Sequence, residues 1–171
     1  MRQSEAWIIQ VKSDFAAGER LFQKNNPETY CQAISKYQQT VEKSVKAMVA
    51  AVNDLGSSLT ITRKHSPNDE ITALLGLKSR LDNASTNYLT ATFGKHRAAI
   101  IDLCRLAPKW PNDNKTFARN TEYPFVTAEG YAAPADAVSF TLQEVNTARS
   151  TAWVVHRRAT SFAQSVKFGR S

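Results

Sequence analysis

Apolar residues recur every three or four positions along most of this chain, and the longest run of them sets the architecture. Tyr30, Ile34, Tyr37, Val41, Val45, Met48, Val52 and Leu55 make one continuous stripe on a helix of roughly seven turns, and such a stripe has to be buried. Lys36, Gln39, Lys43 and Lys46 gather on another face of the same helix, able to offer amides and cations to a groove or to solvent. Ahead of it, Ile8, Val11, Phe15 and Phe22 predict a first helix over about residues 4 to 24. Asn26 and Pro27 end that helix and start the next: Asn26 can cap it, and Pro27 stands at the first helical position, where its missing N–H is no loss. Gly56 supplies the stop after Leu55.

Ser66 and Pro67 repeat the cap-then-proline device for a third helix, whose apolar side is Ile71, Leu74, Leu75 and Leu81. Residues 82 to 94 are rich in Ser, Thr and Asn and close on Gly94, which predicts an interruption. The run RAAIIDLCRLA then forms a helix that stops at Pro108. Four of the six prolines fall between 108 and 134, a long surface loop, and a final helix should run from about Pro134 to Phe168. Together these elements predict an all-α, up-and-down bundle of about five helices with mostly short connections. A chain of 171 residues with 42% hydrophobic content can bury one core, so residues 1 to 171 are read as a single domain.

The second helix, QQTVEKSVKAMVAAV, resembles the corresponding helix of HEPN domains, a family of nucleotide-binding or RNA-cleaving helical bundles. Three other features follow in that family's order: an amphipathic helix before it, a histidine leading into an Ile/Leu-rich helix (HSPNDEITALL), and an Arg-to-Tyr-Pro segment (ARNTEYPF) ahead of a long last helix. The resemblance covers most of the chain. It implies a helical protein that binds RNA, nucleotide or a protein partner, commonly as a homodimer, and that can form half of a toxin–antitoxin pair with a minimal nucleotidyltransferase. It also implies roles for His65, which matches the histidine before the third helix, and for Arg119, although Asn120, Thr121 and Glu122 separate that arginine from Tyr123 and Pro124.

Charge points the same way. A net charge of +7 favours an anionic partner. Arg149, Arg157, Arg158, Lys167 and Arg170 follow Glu144 with no acid among them. Arg157 and Arg158, with Lys43 and Lys46 on the second helix, are thus candidate contacts to nucleic acid or nucleotide. The short clusters Lys95, His96, Arg97 and Arg63, Lys64, His65 read first as solvated surface, and Trp7, Trp110 and Trp153 as core or interface.

Catalysis, if the chain performs any, belongs on the last helix. Arg149, Trp153 and His156 fall within about 60° of one another at 100° per residue. RNA-cleaving HEPN domains carry an Arg, a polar residue beside it and a His after four to six intervening positions; Arg149, Ser150 and His156 fit at the longest spacing. The arginine would hold a scissile phosphate and the histidine would move a proton, giving a metal-independent endoribonuclease. A packed Arg/His pair is the simpler expectation, and a non-catalytic helical adaptor is the third alternative. No common dinucleotide, P-loop, zincin, hydrolase or CxxC motif occurs, so neither a metal nor a cofactor is expected. Cys31 and Cys104 stand alone in their segments and read as packing residues in a reducing, cytoplasmic setting. The N-terminus has neither a signal-peptide core nor a membrane-length run, so a soluble protein without a membrane role is expected.

Overall fold

Ala33, Ser35, Thr40, Ser44, Ala47, Ala50 and Ala51 interleave with the stripe of residues 30 to 55, and side chains this short let other helices approach from every side. The computed structural model describes residues 1–22, 26–106, 121, 125–127, 130–134 and 138–169. In it, helix α2 (Tyr30–Asn53) is the central strut, buried nearly all round. Helix α1 (Gln3–Leu21) packs against it, followed by the short α3 (Asn68–Gly76), then α4 (Asn83–Cys104) and α5 (Leu142–Ser165). Ion pairs and hydrogen bonds fix the directions: Ser4 bonds to Asp54 and Glu19 to Tyr37, so α1 and α2 run antiparallel. Arg149 meets Glu19, Arg158 meets Thr92, and the Lys167 amide just past α5 donates to the Ser85 hydroxyl, so α5 runs antiparallel to both α1 and α4. Among the described residues the architecture is the expected all-α, up-and-down bundle of five helices. Among the described residues the only strands are a three-residue antiparallel pair, Phe125–Thr127 with Gly130–Ala132.

Local chemistry accounts for the ends. Asn26 Oδ1 accepts from the Glu28 amide at 3.2 Å, opening a 3-10 turn (Pro27–Thr29) that leads into α2. Gly56 takes φ +95° just past α2, and its amide reaches back to Asn53. α5 begins eight residues later than Pro134 suggests, because Thr141 and Glu144 form a reciprocal capping box there. α3 stops at Gly76 rather than reaching Leu81, and a 3-10 turn (Lys78–Arg80) follows. Most of the expected loop between 108 and 134 lies outside the described residues.

The interruption expected over residues 82 to 94 does not occur. Asp82 caps α4 through Ser85 at 2.8 Å, and the helix continues unbroken through Gly94. The Thr90 and Thr92 hydroxyls bond back to carbonyls four residues earlier, at 2.9 and 2.8 Å, so they do not compete with the ladder. Burial of Leu89, Phe93 and Ile100 outweighs the helix propensity that Gly94 forfeits, on the order of 1 kcal/mol. Gly94 is exposed, and a Cβ there meets nothing within 4 Å. Gly94→Ala should therefore raise stability by about 0.5–1 kcal/mol, read as a higher urea midpoint at constant slope. Gly18 is the opposite case: a Cβ would stand 2.7 Å from the buried Tyr37 ring, so glycine is what lets α1 close on α2.

Among the described residues no helix is long and apolar enough to cross a membrane.

Candidate nucleic-acid interface

The single acid of α5, Glu144, is engaged at the helix start with Thr141, and from Val145 to Gly169 the chain carries cations and no acid. Val145, Ala148, Ala152, Val155, Ala159 and Phe162 form the buried side of α5. The remaining positions divide into three edges with different chemistry.

On the α1 edge, Arg149 donates to Glu19 through Nε at 2.7 Å and Nη2 at 2.5 Å, and its guanidinium lies 5.5 Å from the Phe22 ring centre. Glu19 also accepts from the Tyr37 hydroxyl at 2.7 Å. The Arg149 guanidinium, helped by that hydroxyl, holds the Glu19 carboxyl below its usual range against the opposing effect of burial. Two turns along, the His156 ring stacks on Phe15 with centroids 5.3 Å apart, and its buried Nδ1 has no hydrogen-bond partner among the described residues. Burial, then the nearby Lys12 and Arg157 charges, push the His156 pKa below its ordinary value. Arg149 and His156 therefore share an edge but serve different neighbours: one is a salt bridge between helices, the other a ring in an aromatic seam.

On the outer face, Trp153 is 47% exposed, and the Arg157 guanidinium lies over its ring at 4.8 Å. Trp153, expected in the core or at an interface, here forms the apolar element of an open basic surface that includes Arg157 and borders Lys12 and His156. No carboxylate lies within salt-bridge distance of Arg157 or Lys12 among the described residues. The sequence signal for this patch is the four-residue spacing of Trp153 and Arg157 on an acid-free helix.

On the α4 edge, Arg158 Nη1 donates to Thr92 Oγ1 at 3.3 Å and its guanidinium lies 5.9 Å from the Tyr88 ring centre. Arg157 and Arg158 thus both remain available at the surface, on different edges.

The α2 candidates are turned inward. Lys43 Nζ donates to the buried Asp14 at 2.6 Å. Lys46 is 5% exposed and donates to Glu42 at 2.6 Å. His65 Nδ1 lies 2.9 Å from the other Glu42 oxygen, which also accepts from Gln38 at 3.1 Å. Lys43, Lys46 and His65 thus tie α2 to α1 and to the 57–66 segment, with their ring or ammonium directed at carboxylates. The Cys104 thiol borders the same polar centre, and burial pushes its pKa well up; burial likewise pushes Cys31 to about 11. Both cysteines are free and buried. Among the described residues no group of acids, histidines and cysteines could hold a metal. Arg119 and Trp110 lie outside the described residues.

Comparison with family models, with curated proteins and with solved structures finds no match.

Proposed function

We propose that this chain binds single-stranded RNA, or a nucleotide unit of it, across the outer face of α5. One observation carries the proposal: a nearly half-exposed tryptophan under an arginine, on a helix with no acid after its first turn. Bases stack on aromatic rings and on guanidinium planes whatever their sequence, while neighbouring cations meet phosphates. Trp153 leaves nearly half of a large apolar ring to water, and a stacked base would cover it. The resemblance to HEPN domains adds a second copy of the chain and a nucleotidyltransferase partner to this picture.

Metal-independent RNA cleavage is less well supported. Arg149 is neutralised by a bidentate carboxylate, and the depressed basicity of His156 follows from burial beside cations. A helical adaptor with no nucleic-acid role is the reading left if RNA does not bind.

In a Trp7→Phe, Trp110→Phe background, Trp153 is the one tryptophan left, so tryptophan emission excited to the red of tyrosine absorption reports on it alone. Titration with a labelled-free oligouridylate should quench that emission in a saturable way, and the RNA should remain intact in chelator. Saturable RNA binding by anisotropy without any change at Trp153 would place the RNA elsewhere and reject this face.

A further inference from the structure

α4 presents Tyr88, Thr92, Lys95 and His96 at intervals of three and four residues, hence along one edge, while Leu89, Phe93 and Ile100 turn to the core. Helix α5 brings Arg158 onto that edge, where it donates to Thr92 and lies over the Tyr88 ring. Tyr88 is itself braced by Phe162, one turn along α5, with ring centroids 6.1 Å apart. Arg158 is thus half-buried and held by a hydroxyl and two aromatic rings in series, with no carboxylate in reach among the described residues. The neighbouring arginine on α4 behaves differently: Arg97 is committed to Asn68 at 2.7 Å and Thr72 at 3.1 Å. Between Asp82, which caps α4, and Asp102, which pairs with Arg105 at 3.0 Å, α4 carries no acid at all.

A partly desolvated arginine and a lysine gathered without a counter-charge repel one another, and a bound anion relieves that repulsion. The His96 imidazole registers it: burial, then the Arg158 and Lys95 charges, hold its pKa below the ordinary value. Arg158 retains further N–H donors in a planar fork that matches phosphate oxygens, and Lys95 can reach a third oxygen from its exposed position.

We propose that Lys95, His96 and Arg158 form a phosphate-binding site on the edge between α4 and α5. The site deepens, and as a backbone-phosphate subsite rests on, the RNA reading of α5: Arg157 and Arg158 are consecutive, so a strand stacked at Trp153 turns a phosphate over the helix onto this edge. As an oxyanion site it would also take a terminal phosphate. Binding strengthens as pH falls, because protonating His96 adds a third cation to an edge that Lys95 and Tyr88 from α4 and Arg158 from α5 share with it.

The probe is inorganic phosphate added to the full chain at constant ionic strength, with the histidine Cε1–H signals followed by NMR and His96 assigned by loss of its signal in His96→Gln. The His96 titration midpoint should rise by about half to one pH unit on saturation, while His156 stays put. Arg158→Gln should weaken phosphate roughly tenfold. Because that change also removes contacts to Thr92 and Tyr88, the exposed Lys95→Gln serves as a second variant, expected to weaken phosphate about threefold with an unchanged melting temperature. A His96 midpoint indifferent to phosphate and to RNA overturns the site, even if RNA quenches Trp153 and the broader reading stands. A His96 response to phosphate with no effect of RNA on Trp153 supports the site and removes RNA as its ligand.

Discussion

Glu42→Ala should destabilise the fold by about 3–5 kcal/mol, the largest single-residue effect expected outside the apolar core. Glu42 is 6% exposed and accepts from Lys46, Gln38 and His65. Removing it leaves the Lys46 ammonium buried, with only the Lys64 carbonyl, at 3.3 Å, to meet it. Replacing both members by apolar residues of similar shape, Glu42→Leu with Lys46→Met, should recover most of the loss, since no charge is then stranded. Urea unfolding at pH 7 measures both, and a single-variant loss below about 1 kcal/mol would mean that water reaches the pair.

The same pair gives the stability a pH dependence of defined sign. Burial alone would raise the Glu42 pKa above 4.5, but the His65 and Lys46 hydrogen bonds outweigh it and leave the pKa lowered. A carboxylate with a depressed native pKa contributes stability that is complete above its unfolded pKa and is lost as pH falls through the folded one. His156 and His96 are depressed too, so the unfolded chain takes up their protons first, and stability begins to decline once pH falls below about 6.5. Acid unfolding should therefore start with the histidines and continue as the carboxylates with lowered pKa values, Glu42 and Glu19 among them, are protonated.

The helices were legible in the sequence because their apolar spacing is long and regular. The stripe of residues 30 to 55 marks α2, and the polar residues gathered on its other face suggest a side turned to a groove or to solvent. Its two candidate cations are engaged instead, Lys43 with Asp14 and the buried Lys46 with Glu42. Alanine, serine and threonine look neutral in a hydropathy pattern, yet on α2 they are what lets neighbours close in, and Asp14 on α1 is a counter-charge 29 positions away that no local pattern connects to Lys43. Residues 82 to 94 misled in the reverse sense: propensity suggested a break, while back-bonded threonine hydroxyls and the buried Leu89 and Phe93 keep the helix whole. On α5 the alignment of Arg149 with His156 was correct as geometry, but a helical wheel gives no hint that Glu19 takes the arginine and Phe15 the histidine. The direction of Trp153 was equally hidden, since the sequence alone does not say which arc of α5 the bundle leaves open.

The second large effect belongs to binding. Phosphate contacts release counterions, so the logarithm of the association constant should fall linearly with the logarithm of salt concentration, with a slope of roughly −0.7 per phosphate contact on a single strand. Arg157 and Arg158 are the two α5 cations placed to make such contacts, one beside Trp153 and one beside Thr92. Removing both should lower affinity for a short single-stranded RNA by about ten- to a hundredfold at low salt and make the slope shallower by roughly 1.4. Neither arginine has a carboxylate partner among the described residues, so the paired alanine change should leave the bundle folded. Lys43→Ala tests specificity: its ammonium is spent on Asp14, so it should reduce stability and leave the slope alone.

Fluorescence anisotropy of a labelled oligouridylate, measured across a salt series for the wild type and for Arg157→Ala with Arg158→Ala, tests the proposed RNA-binding face most directly. Steeply salt-dependent binding by the wild type, with weaker affinity and a flatter slope in the folded variant, is the predicted result; no binding at micromolar protein, or the same slope in both, would contradict it.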